Sequence, residues 1–141
     1  AFAAVDAAVS AYAAEGTIPA GYAQWSSAER QRFLDNIPKQ RTAGQLAALN
    51  EVLGLSGTGN NEELFLWLEL ALANRYEPAV PQAEEFLAEV GRAKFVRPLF
   101  QVLWDPDEWG RPIAQRIYAE TCGSYHAVTR GGVDRILGTE G

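Results

Sequence analysis

The segment EELFLWLELALANRY, residues 62–76, limits the fold more than any other stretch. At helical spacing it carries Glu62, Glu63 and Glu69 as a narrow polar stripe, while Leu64, Phe65, Leu66, Trp67, Leu68, Leu70 and Leu72 wrap around the rest. A helix apolar over most of its circumference has to be covered from several sides. Glu69 breaks the apolar run, and no run in the chain reaches the roughly eighteen residues of a membrane span. The segment predicts a helix walled in by other helices.

The remaining sequence supplies those helices. Phe2, Val5, Val9 and Tyr12 recur at helical spacing in the Ala-rich start. Ser26 with Glu29, and Thr42 with Gln45, have the spacing of capping boxes. The first opens a helix with Phe33, Leu34 and Ile37 that Pro38 stops. The second opens one with Leu46, Leu49, Val52 and Leu53 that Gly54 closes in the left-handed conformation. Asn60 or Asn61 caps the segment above. EPAVPQAEEFLAEVG, FVRPLFQVLW, RPIAQRIYAETC and HAVTRGGVDRIL follow, the last weakened by Gly131 and Gly132. Pro98 is tolerable only in a first helical turn, which places a helix start at about residue 95. DPDEWG reads as a loop. The expected fold is all-α, about eight short helices paired into an α–α superhelix like a HEAT or armadillo stack, with a compact irregular bundle as the alternative. The length, 141 residues, suits a single domain spanning 1–141.

Composition removes several functions. The net charge is −6, which argues against a nucleic-acid partner, and no segment suggests a membrane partner. His126 is the single histidine and Cys122 the single cysteine, so neither a zinc-hydrolase motif nor an internal disulfide can be built. His126 reads as structural or capping, and Cys122 as a buried inert thiol. The four Trp read as packing, and the acidic loop DPDEW as a solvated turn rather than a cation site. No metal site, cofactor or catalytic group is expected within this chain, and a cytoplasmic location is expected.

One stretch invites an anion. GRAKFVRPLF, residues 91–100, gathers Arg92, Lys94 and Arg97 in a chain with only two lysines. With Gly91 ending one helix and the next starting near residue 95, residues 92–94 form a joint. If that joint is extended, Arg92 and Lys94 point the same way. Beside a helix N-terminus they could hold a carboxylate, Arg through two donors and Lys as a point charge. The alternative is surface pairing with Glu84, Glu85 or Glu89. Arg97 reads as structural.

NNEELFLWLELALANRYEPAVPQAEEFLAEVGRAKFVRPLF, residues 60–100, with the later SYHAVTRGGVDRIL, resembles the C-terminal helical domain of the leukotriene A4 hydrolase/aminopeptidase family. WSSAERQRFLDNI and AGQLAALNEVLGL fall in the right order upstream. The resemblance implies an α–α superhelix packed against N-terminal and catalytic domains of the same polypeptide. It also implies that zinc, its ligands and the catalytic residues lie in that parent and not here. In the family an Arg-x-Lys pair at the end of the cleft holds the carboxylate of a short peptide substrate, and it matches Arg92 and Lys94. Ala127 stands where the family has Pro after the late His, and DPDEWGRP departs from the family's loop. The chain, which contains no Met, is then a piece cut from the C-terminal end of a zinc aminopeptidase and not itself an enzyme. A free-standing helical-repeat scaffold for protein–protein interaction is the competing reading.

Overall fold

A computed structural model describes residues 2–104 and 108–138. Among these residues there are eight α-helices, four short 3-10 turns and no strand. The all-α expectation holds. The chain divides into two compact units, Ala1–Leu70 and Ala71–Gly141.

The first unit contains α1 (Ala3–Glu15), α2 (Ser27–Asn36), α3 (Ala43–Leu53) and most of α4 (Asn61–Ala73). Both capping boxes form, with Ser26 accepting from the Glu29 N–H and Thr42 from the Gln45 N–H. Gly54 ends α3 at φ 66°, in the left-handed region where a side chain would be strained. Asn60 is the cap of α4, its Oδ1 accepting from the Glu63 N–H at 3.0 Å. α1 packs on α2, and Tyr12, Tyr22 and Trp25 surround the ring of Phe33 at centroid distances of 5.8–6.2 Å. Val52 is exposed, so α3 turns a narrower apolar face inward than its sequence suggested.

The polar stripe of α4 is not a solvent face. Glu63 is 2% exposed. Its carboxylate takes hydrogen bonds from Tyr22 Oη (3.5 Å) and Ser27 Oγ (3.3 Å) and stands 3.8 Å from the Arg30 guanidinium. Burial and this carboxylate push the Tyr22 phenol well above its ordinary range, which keeps it a donor. Glu62 and Glu69 are half-buried, and burial raises the Glu69 carboxyl against the pull of Lys39.

The second unit contains α5 (Val80–Glu89), α6 (Ala93–Trp104), α7 (Gly110–Thr121) and α8 (Ala127–Leu137). α6 packs on both α7 and α8, and α5 on α7. α6 starts at Ala93, earlier than Pro98 led the sequence reading to expect, and Pro98 lies inside it. An interior proline removes one hydrogen bond and costs about 3 kcal/mol. Five α6 side chains, Phe95, Val96, Leu99, Phe100 and Leu103, are buried, each contributing roughly 1.5–3 kcal/mol. Burial therefore outweighs the proline. Asp105 and Asp107 of the acidic loop lie outside the described residues, and Gly110, read as the end of that loop, is the first residue of α7.

Candidate functional site

The joint between α5 and α6 is only three residues long. Val90 is extended and its N–H still closes α5 on the Phe86 carbonyl at 2.8 Å. Gly91 follows, and the Arg92 carbonyl accepts from the N–H groups of Phe95 and Val96, both at 3.0 Å. That makes Arg92 the N-cap residue of α6 and places Lys94 in its first turn. The extended joint expected over 92–94 does not exist, and alternation along a strand does not align the two cations.

They come together by another route. The Arg92 guanidinium carbon is 5.9 Å from the centroid of the Phe95 ring, and Lys94 Nζ is 4.9 Å from the same centroid. Phe95 is itself buried, held edge-on by Phe86 at 5.8 Å. Two exposed cations thus lie near one fixed ring, an attraction worth about 0.5–1 kcal/mol at exposed sites. Both sit at the positive end of α6, whose first turn contains no acidic residue. Cations at a helix N-terminus are disfavoured by the dipole, and an anion bound there relieves both the dipole and the mutual repulsion. The competing surface pairing has no support at Arg92, which forms no ion pair among the described residues. Glu84 pairs instead with Arg116 at 3.0 Å.

α8 and the turn before it hold the joint in place. Tyr125 Oη donates to the Leu87 carbonyl at 2.7 Å, and Thr129 Oγ1 donates to the Gly91 carbonyl at 3.0 Å. Burial raises the Tyr125 phenol, so it stays protonated as a donor. Tyr118 stacks on Tyr125 at 6.4 Å and donates to Asp134 Oδ1 at 2.7 Å. The late motif SYHAVT therefore acts on the cation pair through backbone carbonyls 38 residues away in sequence. Tyr125→Phe should cost about 1 kcal/mol and speed amide exchange at residues 90–92, as hydrogen-exchange NMR would show. His126 occupies the N-cap position of α8 but makes no capping bond with its exposed side chain. Cys122 is a free, half-buried thiol at the end of α7. Among the described residues no three His, Cys, Asp or Glu side chains converge as metal ligands would.

The order of these elements has a counterpart among known proteins. The sequence model of the family described as leukotriene A4 hydrolase, C-terminal, matches residues 25–137. The chain belongs to that family. It is 31% identical over 123 residues to Leucine aminopeptidase 2 of Neurospora crassa, covering 85% of this chain and 18% of that protein. To Leucine aminopeptidase 2 of Emericella nidulans it is 32% identical over 108 residues, 74% of this chain and 17% of that protein. To the Aspergillus niger protein of the same name it is 36% identical over 89 residues, 63% of this chain and 14% of the relative. The chain spans less than a fifth of the length of these relatives. It corresponds to the C-terminal helical domain of proteins of the leukotriene A4 hydrolase type.

Proposed function

We propose that this chain is the non-catalytic C-terminal domain of a zinc aminopeptidase, where it walls the substrate cleft and holds the substrate carboxylate through Arg92 and Lys94. The observation that carries the reading is the convergence of those two cations on the Phe95 ring at the positive end of α6. Arg92 offers a planar fork of donors that grips both carboxylate oxygens, and Lys94 adds a compact charge that tolerates variation in peptide length. Holding the free carboxylate selects short peptides with an unblocked C-terminus and fixes how far their N-terminus reaches. That orientation is the domain's contribution to turnover.

On this reading the zinc belongs to the catalytic domain of the same polypeptide, and the one His and one Cys of this chain are too few to make a donor set for it. There it would supply Lewis-acid chemistry for peptide hydrolysis. Peptide substrate and the parent's own domains are the partners of this domain. The test uses the parent polypeptide and this chain side by side, with metal content and release of N-terminal amino acids as readouts. The parent should contain stoichiometric zinc and turn over aminoacyl substrates, and the isolated chain should do neither. A parent without zinc or peptidase turnover would overturn the proposal.

A further inference from the structure

Thr121 and Thr129 are the buried threonines of the described residues, and they use their hydroxyls differently. Thr121 in α7 donates back to the carbonyl of Ile117, four residues earlier, at 2.9 Å. That is the ordinary partner of a threonine inside a helix. Thr129 stands in the first turn of α8 and is 4% exposed. Its hydroxyl leaves its own helix and donates to the Gly91 carbonyl at 3.0 Å.

That bond reaches Arg92 through one rigid unit. The Gly91 carbonyl and the Arg92 N–H belong to the same planar peptide group, so a donor that fixes the carbonyl fixes the plane from which Arg92 departs. Gly91 supplies no restraint of its own. Glycine has the widest backbone freedom of any residue, and a Cβ added there would meet Tyr125 Cδ1 at 3.7 Å, an ordinary contact. On its other side the Arg92 carbonyl is held by the N–H groups of Phe95 and Val96, both at 3.0 Å. Arg92 is thus pinned by α6 after it and by Thr129 before it.

The packing of α8 on α6 brings Thr129 to this point. Gly132 lies one helical turn further on, on the same face, and is buried with Val133. A Cβ built on Gly132 would stand 2.7 Å from Arg97 Nε, 2.8 Å from Cδ and 3.1 Å from Cγ. The Arg97 stem therefore lies directly across the α8 backbone, and α8 comes this close to α6 because residue 132 has no side chain. Glycine weakens a helix interior, and in α8 that weakness coincides with the approach that seats Thr129.

We propose that Thr129 is a positioning residue for substrate recognition, its hydroxyl setting the place and direction of Arg92 so that the guanidinium meets the terminal carboxylate of the peptide. The inference rests on the carboxylate role given to Arg92 above. Thr129, being buried, acts through the 91–92 peptide and not by touching substrate.

The test is steady-state turnover by the full-length parent, with a free-acid tripeptide and its C-terminal amide as substrates. Thr129→Val keeps the shape and removes the hydroxyl, whereas Thr129→Ser keeps the hydroxyl. Thr129→Val should lower kcat/KM for the free acid about fivefold, the effect of one ordinary hydrogen bond, and change the amide by less than about twofold. Thr129→Ser should keep the acid-to-amide ratio of the unaltered enzyme. In an Arg92→Ala background Thr129→Val should not move the ratio further, because residues acting through one contact are not additive. Thr129→Ala gives the same contrast should the valine variant not fold. Equal losses on acid and amide, an unchanged ratio, a serine variant that behaves like valine, or a full effect in the Arg92→Ala background would overturn the positioning role, provided that Arg92→Ala alone lowers the ratio. A ratio untouched by Arg92→Ala would instead remove the carboxylate reading, and the positioning role with it.

Discussion

Gly110→Ala should destabilise this domain by about 3 kcal/mol or more, a large share of the roughly 5–15 kcal/mol available to a small domain. The first residue of α7 is pressed against the backbone of α6. A Cβ at position 110 would stand 2.0 Å from the Leu103 carbonyl oxygen, 2.7 Å from its carbon and 2.8 Å from Leu103 Cα. Backbone inside a packed helix cannot step aside as the tip of a flexible side chain can, so α6 and α7 would have to separate. Leu103 itself is buried, and Arg111 ties the same corner by donating to the Trp104 carbonyl at 2.9 Å while lying over the Trp104 ring. Gly123→Ala is the control, because nothing lies within 4 Å of the added carbon, and it should change stability by less than about 0.5 kcal/mol. Urea unfolding followed by circular dichroism checks both, and an unchanged midpoint for Gly110→Ala would refute the close packing.

Glu63→Ala should cost about 3 kcal/mol in the same assay, at the lower end of what breaking a buried ion pair costs. The substitution removes the acceptor shared by Tyr22 and Ser27 and the charge facing Arg30. Arg30 keeps a bond to the Tyr22 carbonyl at 3.0 Å, which limits the loss. Glu63→Gln preserves shape and one acceptor oxygen and should lose about 1 kcal/mol. The gap between the two variants measures the buried network rather than the helix. If both behaved as surface substitutions, Glu63 would have to be solvated.

These sites mark where sequence reading ends. The caps at Ser26, Thr42 and Asn60 and the left-handed Gly54 were legible because each depends on residues within a few positions of itself. Glu63 is legible in the sequence only as part of a polar stripe, because its partners Tyr22 and Ser27 are 41 and 36 residues away, beyond any periodicity. The start of α6 was placed about two residues late because the rule for proline considers one lost hydrogen bond and not five buried side chains. Gly110 and Gly132 were read as a loop end and a weak helix. Their roles depend on Leu103 and Arg97, which only packing brings near. Arg92 and Lys94 stand out by chemical type and family motif, yet what they share is proximity to the Phe95 ring and not an extended chain.

Turnover of a free-acid tripeptide beside its C-terminal amide, in the full-length parent, is the decisive comparison for Arg92 and Lys94. Arg92→Ala and Lys94→Ala should each lower kcat/KM for the free acid by about tenfold or more, the loss of a charge-assisted contact worth roughly 1.5–3 kcal/mol. The amide should change by less than about twofold, since the contact it lacks cannot be lost. Equal losses on acid and amide, or no loss on either, would show that these cations do not hold the substrate carboxylate.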